Sequence, residues 1–113
     1  MGPLLLVAAA ACTWACGGSD APDYCEVVSP ILDAKCRRCH STPPVNGAPM
    51  SLEGYDAVEE NAPRMKTVIE IDFMPYRGDP TISPTVEDLT EEEEALVVEW
   101  LGGGTPRGSG SCE

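Results

Sequence analysis

Cys36-Arg37-Arg38-Cys39-His40 is the stretch with the clearest chemical content. Two thiols three residues apart fall on one face of a helical turn, and an imidazole follows at once. That spacing lets both sulfurs reach the two vinyl groups on one side of a porphyrin as thioethers and sets the next side chain under the metal. C-x-x-C-H is accordingly the attachment signature of c-type haem. His40 is the only histidine, so no other imidazole competes as proximal ligand to the iron. Other uses of the pair are less well supported. A zinc site wants four ligands and a second close pair, and would have to recruit Cys25 or Cys112. A thioredoxin-like redox pair belongs in a βαβ setting, which the flanking sequence lacks.

Met74-Pro75 is the second informative point. Proline at 75 disfavours helical backbone at 74, so the thioether projects from extended chain. Such a sulfur is a soft donor that favours ferrous iron, as expected of a distal axial ligand. Methionines more often fill cores. Met65, on an apolar helical stripe, and Met50, ten residues beyond His40, are the competitors for the role.

The chain has four further cysteines. Pro3 to Ala15 (PLLLVAAAACTWA) has the length of a signal-peptide apolar region and is too short to span a bilayer, so 1–15 is set apart as a leader. No positive charge precedes it, a departure from the usual signal that bears on the export route more than on haem. Cys12 after Ala9-Ala10-Ala11 and Cys16 before Gly-Gly-Ser-Asp are candidates for lipidation, as in bacterial lipoprotein signals. Trp14 argues against cleavage at Cys16. Cysteine arithmetic favours it, because Cys36 and Cys39 then serve haem and Cys25 and Cys112 remain as a pair. Ordinary secretion without a lipid stays open. So do two independent thiols at Cys25 and Cys112, or pairing with Cys12 or Cys16 in an unprocessed chain.

The elements that must position these groups read as short helices. Residues 16–23 are a small, polar tether. The domain runs over 24–106. Val28, Ile31 and Leu32 mark one helical face leading into the haem motif, with Ser29-Pro30 as N-cap and first helical residue, or with a start near Tyr24. Residues 41–49 carry prolines and a glycine that forbid regular structure. Asp56 to Glu59 has the shape of a capping box, opening a helix that Pro63 ends or restarts. Met65, Val68 and Ile69 continue a helical face, although the alternation over 68–73 also suits a strand. Thr90-Glu91-Glu92-Glu93 is a capping box with acidic residues where the helix dipole favours them. Leu96 with Trp100 and Val97 with Leu101 are i, i+4 pairs, Gly102 is the expected C-cap, and the apolar face is expected to lie across Ile31 and Leu32. Residues 107–113 form a Gly/Ser-rich tail holding Cys112.

A folded part this short buries little on its own, and a covalently held macrocycle would supply much of the core. The net charge of −12, with 19 acidic and 7 basic residues, excludes a nucleic-acid partner. It suits solubility, or steering toward a basic docking patch on a redox partner.

Taken together, VSPILDAKCRRCH, FMP and the ending LTEEEEALVVEWLGGG resemble a small class I cytochrome c domain, of the single-haem type found in exported bacterial lipoproteins, over Tyr24 to Pro106. The resemblance implies an all-α, cytochrome c-like fold of three to four short helices wrapped around one covalent haem c, with long Pro/Gly-rich loops. It also implies covalent attachment at Cys36 and Cys39, axial ligation of iron by His40 and Met74, and crossed first and last helices. The function expected is electron transfer with no catalysis, in the periplasm or anchored to the outer membrane of a Gram-negative bacterium, with contact to the membrane only through a lipid. A haem enzyme or a peroxide or gas sensor with an open sixth position is the alternative, and a structural metal or disulfide module is a third.

Overall fold

The computed structural model describes residues 21–108 and 110–112, so the lipidation candidates Cys12 and Cys16 lie outside the described residues. Within them the chain is all-α. A single π turn, Tyr24–Val28, runs into α1 (Ser29–Lys35), and α2 (Tyr55–Glu70) and α3 (Glu91–Gly102) follow after long irregular connections.

The first helical segment starts earlier than Ser29. Asp23 caps it, its carboxylate accepting from the Glu26 N–H at 2.9 Å, while its carbonyl accepts from Val27 at 2.9 Å and Val28 at 3.1 Å. Ser29 already has helical backbone, so it is no cap, and its N–H reaches back five residues to the Tyr24 carbonyl. Pro30 brings no N–H to the next position, and the wider turn ahead of it gives the pyrrolidine ring room.

Helix α2 overrides two local signals. It begins at Tyr55 after Gly54, with no side-chain cap, so the capping box expected from Asp56 to Glu59 does not form. It also runs unbroken through Pro63. A proline inside a helix removes one hydrogen bond and crowds the preceding turn. Here Val58, Ala62, Met65 and Ile69 bury one continuous face and hold the helix together across it. The helix ends at Glu70. Asp72 takes a positive φ of 63°, and the N–H groups of Phe73 and Met74 both turn back to the Val68 carbonyl, at 2.9 and 3.0 Å. This closing turn excludes a strand over 68–73 and delivers Met74 from the end of the helix.

Helix α3 has the expected box: Thr90 Oγ1 accepts from the Glu93 N–H at 3.0 Å and Glu93 accepts from the Thr90 N–H at 2.9 Å. Gly102 is its last residue and Gly103 the cap. Its buried face, Val97, Trp100 and Leu101, packs on α2 and on the π turn. Trp100 stacks on Tyr24 with centroids 5.3 Å apart, both rings fully buried, and Tyr55 meets each edge-on. The last helix thus meets the first helical segment at the π turn, where Trp100 lies on Tyr24, and Leu32 is buried in the same core with Ile31 packed against it. Aromatic pairs of this kind add about 1 kcal/mol each to what their burial gives.

The ends are closed as well. Tyr55 donates its hydroxyl to the Thr105 carbonyl, Trp100 Nε1 donates to Pro106 at 2.9 Å, and Cys25 is disulfide-bonded to Cys112 across 87 positions.

Candidate haem-attachment site

Helix α1 stops at Lys35, and residues 36–39 form a separate hydrogen-bonded turn. The N–H groups of Cys36 and Arg37 both reach the Leu32 carbonyl at 2.8 Å, and those of Cys39 and His40 both reach the Cys36 carbonyl, at 3.2 and 3.0 Å. Arg37, between the two cysteines, is turned away from the cavity and into the protein. Its Nε donates to the Leu52 carbonyl at 2.7 Å, Nη1 to Ser29 Oγ and Asp33 Oδ1, and Nη2 to the Tyr24 hydroxyl at 2.7 Å. Burial works against its charge, but the bonds to Asp33 and Tyr24 outweigh this and hold its pKa above the ordinary value. The motif is thereby bolted to the first helical segment and to the far end of the loop that follows.

That loop is closed on His40. The His40 carbonyl accepts from the Leu52 N–H at 2.8 Å, and Thr42 is tied to Ser51 and Glu53. Asn46 and Gly47 turn the chain with positive φ of 55° and 82°, a pairing that an Asn-Gly dipeptide adopts at little cost. The result brings Met50 back to the imidazole: His40 Nδ1 donates to the Met50 carbonyl at 2.8 Å. In a neutral ring this leaves the Nε2 lone pair for a metal, with a backbone carbonyl fixing the tautomer. His40 is 8 % exposed.

Cys36, Cys39, His40 and Met74 all line one cavity of about 460 Å³, along with Met50 and Met65. The volume lies within the usual range for small-molecule and cofactor sites, about 300–1,000 Å³. Apolar walls come from Leu52, Val68, Ile69, Ile82 and Val86. Pro75 and Met74 are held at its edge by Arg77, which donates to the Pro75 carbonyl at 2.7 Å and pairs with Asp72 and Asp88.

The charged lining is one-sided. Lys35, Arg38 and Arg64 face the cavity, and no acidic residue among the described ones does. Composition alone gave no hint of this, and of the two arginines inside the cysteine motif only Arg38 lines the cavity.

Cys36 and Cys39 are free thiols, whereas Cys25 and Cys112 are bonded to each other and so supply no ligands to a zinc site. Desolvation pushes the Cys36 thiol up to about 11, against a smaller opposing pull from Arg37. A thiol held protonated at neutral pH is poorly suited to disulfide exchange, which works through the thiolate. No helix among the described residues is long and apolar enough to cross a membrane. No family model, curated protein or solved structure matches the chain.

Proposed function

We propose that the chain is a monohaem c-type cytochrome of cytochrome c-like fold that carries single electrons and catalyses no reaction of its own. The observation that carries this reading is the convergence on one apolar cavity of both thiols of C-x-x-C-H, the sole histidine with Nδ1 already occupied, and the Met74 thioether. The donor set fits haem c: two cysteines for the vinyl groups, one imidazole and one soft sulfur for the iron. Bound there, the haem supplies a reversible one-electron couple between ferric and ferrous iron.

The chain's own residues do the rest. Cys36 and Cys39 fix the macrocycle to the turn after α1. His40, oriented by the Met50 carbonyl, and Met74, held by the turn that closes α2, would hold the iron between them and so would keep substrate from it. The apolar walls exclude water, and similar coordination in both oxidation states keeps the rearrangement on electron transfer small. A thioether ligand and apolar surroundings favour the ferrous form, while the overall acidity opposes it.

The apolar leader and the resemblance to exported lipoprotein domains support export to the cell envelope of a Gram-negative bacterium, with a lipid at Cys16 or Cys12 as the only membrane attachment. A redox partner with a basic docking patch follows from the net charge of −12.

The test is expression of the full chain with a haem-attachment system, followed by intact mass and visible spectra. The expected product carries one covalent haem and gives low-spin, six-coordinate bands in both oxidation states. Colourless material from a competent host refutes the reading, and rapid carbon monoxide binding to the reduced protein moves it to an open-site sensor or enzyme.

A further inference from the structure

We propose that Arg64 is the counter-ion of a haem propionate and that its charge raises the reduction potential of the iron, an inference that rests on the haem reading above. Haem is an apolar plate carrying two carboxylates, and this cavity is apolar with a cationic rim. Which cation is available to a carboxylate is decided by what the others already hold.

Of the seven basic residues, six are engaged. Lys35 Nζ donates to the Asp88 carbonyl at 2.8 Å and lies 3.5 and 3.6 Å from Glu87 and Glu93. Arg37 is buried in its own network, and Arg38 donates to the carbonyls of Pro84 and Thr85. Lys66 pairs with Glu70 at 3.1 Å, Arg77 with Asp72 and Asp88, and Arg107 donates to the Cys112 carbonyl and covers the Tyr55 ring. Arg64 alone forms neither an ion pair nor a hydrogen bond among the described residues, in a chain where acidic residues outnumber basic ones 19 to 7.

Its position adds the second constraint. Asn61, Arg64 and Val68 follow one another at helical spacing along α2 and all line the cavity. The thioethers fix the vinyl edge of the porphyrin at the C-x-x-C-H turn, and the propionates of a haem lie on the opposite edge. Arg64 stands on a different element from that turn. A guanidinium presents a planar fork that matches a carboxylate. A positive charge there offsets a propionate that would otherwise favour ferric iron.

The experiment is an equilibrium redox titration of the haem-loaded full chain for wild type, Arg64→Lys, Arg64→Gln and Arg64→Glu, with Lys66→Gln as a control that removes the same charge from the same helix outside the cavity. Haem content is measured on every sample. The expected result is graded: Arg64→Lys stays close to wild type, and Arg64→Gln lowers the ferrous-to-ferric ratio at fixed ambient potential about tenfold, which is about 59 mV for one electron. Arg64→Glu lowers it further, and Lys66→Gln moves it much less. Loss of haem from Arg64→Gln but not from Arg64→Lys also supports the assignment. Equal shifts from Arg64→Gln and Lys66→Gln, or equal haem loss from Arg64→Gln and Arg64→Lys, overturn it and leave the haem reading intact. Absence of haem from the wild type overturns both.

Discussion

The Arg37 guanidinium donates to the Tyr24 hydroxyl at 2.7 Å, joining a residue between the two cysteines of C-x-x-C-H to the ring that stacks on Trp100. The cysteine turn and the protein core are therefore one mechanical unit. Arg38, its neighbour, lies at the cavity rim and holds only the carbonyls of Pro84 and Thr85. The two arginines should differ sharply under mutation. Arg37→Lys loses the fork that serves Leu52, Ser29, Asp33 and Tyr24 together, and should lower stability by about 2–4 kcal/mol. Arg38→Lys should cost less than about 1 kcal/mol. Denaturant melts of the haem-loaded variants measure both, and equal losses would show that the Arg37 network does not brace the motif.

The three methionines that line the cavity separate by how the chain holds them. Met65 is buried on the continuous face of α2 and Met50 offers its carbonyl to His40, whereas Met74 stands where the closing turn releases the chain. Met74→Ala should abolish the thioether-to-ferric absorption, while Met65→Ala and Met50→Ala should keep it. Arg77→Gln, which frees the Pro75 carbonyl and the pairs to Asp72 and Asp88, should leave the band in place but increase the rate of carbon monoxide binding to reduced protein. Visible spectra and stopped-flow mixing check these outcomes. An unchanged Met74→Ala spectrum would transfer the ligand role to Met65 or Met50.

Desolvation of Cys36, which is half-buried in the cavity wall, gives a prediction for the haem-free chain. With its thiol pushed up to about 11, only about one part in a thousand is thiolate at pH 8. Desolvation disfavours the anion, so the neutral thiol is the form the fold protects, and reactivity grows as pH rises. Alkylation of Cys36 by iodoacetamide, followed by peptide mass, should be slow at pH 8 and accelerate about tenfold per pH unit until pH approaches 11. A rate that levels off near pH 9 would mean that the thiol is solvated.

What the sequence disclosed was local chemistry. The Thr90–Glu93 box formed because both partners sit within one turn and need nothing else. The motif cysteines and His40 were legible for the same reason. The misreadings concern places where tertiary burial outweighed a local preference. Pro63 was expected to break a helix, but Val58, Ala62, Met65 and Ile69 share one buried face on both sides of it. Asp56 was expected to cap, but the helix enters two residues earlier, after Gly54, and the Tyr55 ring is claimed by Tyr24 and Trp100. Arg37 and Arg64 carried no readable signal, since the partners of the first lie up to fifteen residues away and the second is marked by what it lacks.

The Cys25–Cys112 bond closes a loop over 87 positions, which takes in the described helices and the cavity. A crosslink of that span restricts the unfolded chain strongly, and removal of a native disulfide from a small domain typically costs about 2–5 kcal/mol. The bond also holds the tail against the first turn, where Arg107 donates to the Cys112 carbonyl at 3.0 Å and lies 4.5 Å over the Tyr55 ring. The double variant Cys25→Ser/Cys112→Ser should therefore melt at lower temperature than wild type, and wild type should fall to the same value when reductant is added. If the proposed function holds, haem should be retained in both, because thioethers at Cys36 and Cys39 would not respond to thiol reductants. A melting temperature indifferent to reductant in the wild type, with the double variant equally stable, would mean that the aromatic stack of Tyr24, Tyr55 and Trp100 closes the ends without help from sulfur.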